Sequence, residues 1–152
     1  MNIPSFTAVN PAFREMIREK LHGQHFMNHI GFDLTTIEAG RVEGMMPIIE
    51  EIKQQTGFIH GGATATFADL VMGFAAYSLV SDMQVVVTAD LRISYLNPGV
   101  GEEVFAKGWV IKPGQKLIFT EGEIWVRKQG EEKLIAKASA TMAVVNLSDL
   151  VR

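Results

Sequence analysis

Phe13, Met16, Ile17 and Leu21 recur at helical spacing and predict a helix over residues 12–21. Asn10 is its expected cap, and Pro11 suits the first turn. Gly23 stops it, and a short second turn is predicted over 25–30, closed by Gly31. The period then drops to two. Strands are predicted over 32–38 and 41–50, joined at Ala39-Gly40, with a polar loop over 51–58. Residues 61 to about 81 carry almost no charge and predict a long helix. From 84 to 95, alternation sets Val87, Ala89, Leu91, Ile93 and Tyr95 on one face. Thr88, Asp90, Arg92 and Ser94 fall on the other. Three further strands are predicted over 104–111, 117–126 and 133–145. Asn97-Pro98-Gly99, Pro113-Gly114 and Gln129-Gly130 turn the chain between them.

This order, helices first and then mostly strands, predicts an α+β protein with an antiparallel sheet of five to six strands built from local hairpins. The long helix is apolar on all sides and needs cover on all sides, which a curved sheet would give it. An N-terminal extension with a helix (1–25), one domain (26–146) and a short tail (147–152) are expected.

Composition narrows the function classes. A chain of 152 residues suits a single domain. It has no cysteine, so disulfides, a thiolate nucleophile and Cys-ligated metal are excluded. That fits a reducing cytoplasm, the expected location. The net charge is -3 with no basic run, which argues against nucleic acid as the main partner. The first twenty residues carry charges and no continuous apolar core, so no secretory leader is read there. A membrane span over 61–81 is rejected, because Asp69 near its middle would cost about 2.5–3.5 kcal/mol.

Asp69 is the residue with most to say. Ala65, Gly73, Ala76 and Val80 share its stripe of the helix, while Phe67, Val71 and Phe74 lie opposite. Small neighbours leave room for another helix or for a ligand. A carboxylate in apolar surroundings has a raised pKa unless it is paired, which suits general-base work. The other reading is a carboxylate satisfied by a nearby hydroxyl, a backbone donor or a cation. The helix opens with Gly57-Phe58-Ile59-His60-Gly61-Gly62. Its first N–H groups lack internal partners and carry the positive end of the dipole, so they would stabilise an oxygen that gains charge. Asp69 is eight residues beyond Gly61, roughly 12 Å along the axis. One subunit's pair cannot hold one carbonyl, so joint action requires Asp69 from a second subunit.

The run from Phe58 through His60-Gly61-Gly62 to Asp69 resembles the HGG…D signature of hotdog-fold thioesterases of the PaaI type. The similarity continues through the strand 88–95, Asn97-Pro98 and Lys112-Pro113-Gly114-Gln115-Lys116. It implies a hotdog fold whose dimers pair sheets edge to edge, often within tetramers, with the site at the subunit interface. The implied activity is hydrolysis of an aromatic or medium-chain acyl-CoA to free acid and CoA. It requires no metal and no cofactor beyond the CoA of the substrate.

The implied roles are specific. The Gly61 N–H polarises the thioester carbonyl. His60 orders the loop, and Asp69 of the partner subunit activates water or attacks the carbonyl. Thr88 falls where relatives carry a Ser or Thr that helps hold the water. Gln54 falls where many relatives carry Asn, a departure of one methylene. Gly57, Gly62, Thr66, Phe26 and His29 are expected around the substrate. The competing readings are a non-catalytic acyl-CoA binding or sensing protein and a hotdog hydratase or dehydratase. The latter use a His–acid pair at another spacing.

Other features weigh less. His22, His25 and His29 have a spacing that brings two of them to one helix face, but Gly23 interrupts and no Glu or Cys assists, so no metal is expected. Lys107, Lys112, Lys116, Arg127 and Lys128 offer cations to CoA phosphates or simply solvate strand edges. Trp109 and Trp125 are read as packing residues. Glu50 and Glu51 are read as solvent-exposed, with a place on the rim of the site as the alternative.

Overall fold

The computed structural model describes residues 3–150. Helices α1 (Phe13–His22) and α2 (His25–Ile30) precede strands β1 (Asp33–Glu38) and β2 (Arg41–Pro47). A single 3-10 turn at Glu50–Ile52 leads into the long helix α3 (Gly61–Tyr77). Strands β3 (Gln84–Tyr95), β4 (Glu103–Lys112), β5 (Leu117–Lys128) and β6 (Glu131–Asn146) follow, then a last turn of helix, α4 (Leu147–Leu150). The six strands form one sheet in the order β1-β2-β4-β5-β6-β3, with every neighbour antiparallel. The sheet wraps α3, which contacts β2, β3, β4, β5 and β6. This is the hotdog arrangement.

Apolar burial explains why α3 sits there. Phe67, Ala68, Val71, Met72, Ala75 and Ala76 are fully buried against the sheet. Gly108 on β4 lets the helix backbone come close: a Cβ there would lie 2.5 Å from the Val71 carbonyl carbon. At Gly122 on β5 the Met72 side chain takes the same space, 3.2 Å from a Cβ. Helix α1 seats Phe13, Ile17 and Leu21 in the same core. The Arg14 Nε donates to the Ile37 carbonyl at 3.0 Å and ties that helix to β1.

Five expectations change. Helix α1 starts at Phe13 with Ala12 as its cap residue, and Asn10 acts one step earlier by accepting the Ala12 N–H at 2.9 Å. Helix α3 ends at Tyr77, not near 81, because the Ser78 hydroxyl donates to the Ala75 carbonyl at 2.6 Å and accepts the Gly40 N–H at 2.7 Å. Strand β2 ends at Pro47, short of the expected 50. Helix α3 is also not covered all round, since Ala65, Asp69 and Gly73 remain half-exposed along one strip.

The fifth change is in β3, where the strict alternation read from the sequence fails at Ala89. The ladder pairs Thr88 with Met142 and then Asp90 with Thr141, so Ala89 is a bulge. Alternation resets there. Thr88 therefore shares the inner face with Leu91, Ile93 and Tyr95, while Val87 points outward and is 45% exposed.

Candidate active site

The site begins at the α3 N-terminus. His60 is the cap residue in extended conformation, and its Nδ1 accepts the Gly62 N–H at 3.0 Å. With Nδ1 used as the acceptor, Nε2 is the ring nitrogen left facing outward on an exposed side chain. The Thr64 N–H bonds back to the His60 carbonyl at 3.1 Å. Among the described residues, the N–H groups of Gly61 and Ala63 have no protein acceptor. They are donors at the positive end of a helix of 17 residues.

The entry loop is held from both sides. The Gln54 N–H donates to the Phe58 carbonyl at 2.8 Å, and the Gly57 N–H returns to the Gln54 carbonyl at 2.9 Å. Gly57 takes φ 81°, a left-handed conformation that favours glycine. The Ile59 N–H reaches the Gly99 carbonyl at 2.9 Å. Tyr95, at the end of β3, donates its hydroxyl to the Gly61 carbonyl at 2.9 Å and lays its ring against the glycine.

Two clefts flank this helix start. One holds Gln54, Phe58, Gly61, Gly62, Tyr95 and Asn97. The other holds Phe26, Glu51, His60, Gly62 and Thr66. Asp69 lines neither. It opens onto a third cavity of about 150 Å³ with apolar walls from Met27, Leu70, Phe74, Val86 and Met142. The Thr88 Oγ1 donates to the Asp69 Oδ1 at 2.6 Å. The carboxylate therefore has a hydroxyl partner, the pairing one of the sequence readings allowed for, and its second oxygen makes no other protein hydrogen bond among the described residues.

The structure thus brings Gln54, Gly61, Gly62, His60, Thr66 and Phe26 around the helix start, and Asp69 with Thr88 some two turns further on. It does not bring in His29, which is exposed on α2, or Gly57, which stays in its turn away from the clefts. Arg127 is engaged by Glu103 and by Glu132, the latter at 2.7 Å. Trp109 is buried, and Trp125 stacks on Phe105 at 6.3 Å, so both pack. Glu50 pairs with Lys53 at 2.8 Å, while Glu51 reaches the second cleft. Tyr95 was not legible as a site residue. Its only sequence signal is its place just before Asn97-Pro98.

A family model described as Thioesterase superfamily matches residues 56–133. A thioesterase family protein of Silicibacter pomeroyi superposes with a TM-score of 0.87 at 32% identity, covering 88% of this chain and 98% of that one. The human acyl-coenzyme A thioesterase 13 is 29% identical over 142 residues, covering 92% of this chain and 99% of the relative. The proofreading thioesterase EntH of Klebsiella pneumoniae is 33% identical over 70 residues, covering 46% of this chain and 51% of that one. The PaaI protein of E. coli shares the fold, with a TM-score of 0.79 at 18% identity over 88% of this chain and 94% of that one. The chain belongs to the thioesterase superfamily and has the hotdog fold. It is a thioester hydrolase by membership of that class. No helix among the described residues is long and apolar enough to cross a membrane.

Proposed function

We propose that the protein hydrolyses acyl-CoA thioesters at a site shared by two subunits. The observation that carries this is the separation of two half-sites on one helix. The free Gly61 N–H and the Thr88-held Asp69 carboxylate open onto different cavities of the same subunit. The names of the relatives support acyl-CoA as the thioester.

In this reading the carbonyl oxygen of the substrate sits at the Gly61 N–H, where the helix dipole stabilises the developing oxyanion. Asp69 of the partner subunit takes a proton from water as the water oxygen bonds to the carbonyl carbon. The C–S bond then breaks, and the thiolate leaves and is protonated, giving free acid and CoA. Thr88 fixes one oxygen of Asp69 and leaves the other to the water. Direct attack by the carboxylate is the alternative within the same geometry, and isotope-labelled water in a single turnover separates the two. His60 and Gln54 shape the loop, with the longer Gln side chain in the cleft beside Gly61.

The test is thiol release from a panel of aromatic and aliphatic acyl-CoAs, with Asp69→Ala alongside. The variant is expected to lose about 10²–10⁴-fold in kcat. Unchanged turnover removes Asp69 from the mechanism, and binding without turnover across the panel points to a sensor.

A further inference from the structure

The cavity beside Asp69 has a polar far end. Tyr77, eight residues along α3, lies roughly 12 Å from Asp69 along the axis. Lys20, in the last turn of α1, places its Nζ 3.4 Å from the Tyr77 hydroxyl and 4.7 Å from the centre of its ring. Gln24 lines the same cavity. Among the described residues no carboxylate lies within salt-bridge distance of Lys20. Helix α1 is anchored by its buried Phe13, Ile17 and Leu21, so the ammonium group is carried on a packed element. Between the two ends, Gly73 leaves open space where a Cβ would meet nothing within 4 Å. The cavity, about 150 Å³, has the size that holds one benzene ring.

We infer that this cavity receives a short acyl group, of one ring or about six carbons, that carries an oxygen at the end remote from the thioester. Resting on the thioesterase reading, the inference makes Lys20 and Tyr77 specificity residues. The thioester carbonyl lies near Asp69 and the chain runs past Gly73. The distal oxygen accepts from the Lys20 ammonium and bonds the Tyr77 hydroxyl. Lys20 is exposed and already bonds the Tyr77 hydroxyl, so an unsubstituted chain strands neither group; it only forgoes the bonds that the oxygen-bearing chain gains. A carboxylate and a hydroxyl share this chemistry. The ammonium favours the first, the phenol accommodates either.

The experiment compares the CoA thioesters of hexanoic acid, 6-hydroxyhexanoic acid and hexanedioic acid in the native protein, Lys20→Met and Tyr77→Phe. The quantity read is the ratio of kcat/KM for each oxygen-bearing substrate to that for hexanoyl-CoA. That ratio is expected to exceed one in the native protein and to fall about tenfold in Lys20→Met. A larger fall for the dicarboxylic substrate identifies a distal carboxylate, and a larger fall for the hydroxy substrate in Tyr77→Phe identifies a hydroxyl. Ratios that stay the same in both variants overturn the inference. Titration of the three free acids into the same proteins reads the cavity without chemistry. Native protein that hydrolyses none of the thioesters, yet binds the oxygen-bearing acids more tightly in a Lys20-dependent way, counts against the thioesterase reading and upholds the pocket. Equal binding of all three acids counts against the pocket.

Discussion

Thr88 does two things for one carboxylate. Its hydroxyl donates to Asp69 at 2.6 Å, and by occupying one oxygen it orients the other. A hydrogen bond to a charged acceptor contributes about 1.5–3 kcal/mol. Thr88→Val keeps the shape and removes the donor, so kcat is expected to fall roughly tenfold or more, with KM moving much less. Thr88→Ser is expected to restore it. Steady-state kinetics on one good substrate checks both, and a kcat unchanged in the Val variant would show that Asp69 needs no such partner. At this scale the sequence was informative where chemistry is local. Gly61, His60 and Asp69 lie on one helix at spacings that helical geometry converts directly into distance. Tyr95 on Gly61, and Lys20 on Tyr77, join residues far apart in the chain and carry no periodic signature. His29, placed near the substrate by the family resemblance, is exposed on α2 in the single chain and lines neither cleft at the helix start.

The elements set where those residues stand. Helix α3 lies against β4 at backbone distance because Gly108 has no side chain. Gly108→Ala would push a methyl group into the Val71 carbonyl, and no flexible side chain is there to yield. The expected loss is about 1–3 kcal/mol in denaturant unfolding, with a displaced helix and reduced turnover. Native-like stability and activity would mean that the helix tolerates a lift from the sheet. The order of elements was legible because the change from helical to alternating period is strong on both sides of α3. The β3 bulge was not. A period-two reading has no means of seeing one extra residue, and it set Thr88 on the face away from Leu91. The ladder shows the shift at Ala89, and that shift turns Thr88 toward the helix. The early end of α3 has a similar origin, since Ser78 is capped by a bond from Gly40 in a distant turn.

The whole molecule has an open side. Strand β3 is at the end of the sheet, and Val87, Tyr95 and Leu96 on or next to it are 45%, 55% and 49% exposed. An unpaired edge with apolar side chains is suited to pairing with a second copy. Tyr95 and Thr88 both lie on that strand, and under the shared-site proposal a pairing there would bring each subunit's Asp69 toward the other's helix start. A monomer would hold two half-sites and no complete one. The direct test is complementation. Gly61→Pro removes the N–H donor at the first helical position, where proline is tolerated, after a residue that is already extended. On its own it is expected to lower kcat about 10²–10³-fold. Asp69→Ala removes the acid. If the two inactive chains are unfolded together and refolded, half the dimers are hybrids and each hybrid has one intact shared site, so about one quarter of native activity should return. Activity that stays at the level of the separate variants would place Gly61 and Asp69 of the same subunit in one site and contradict the shared arrangement.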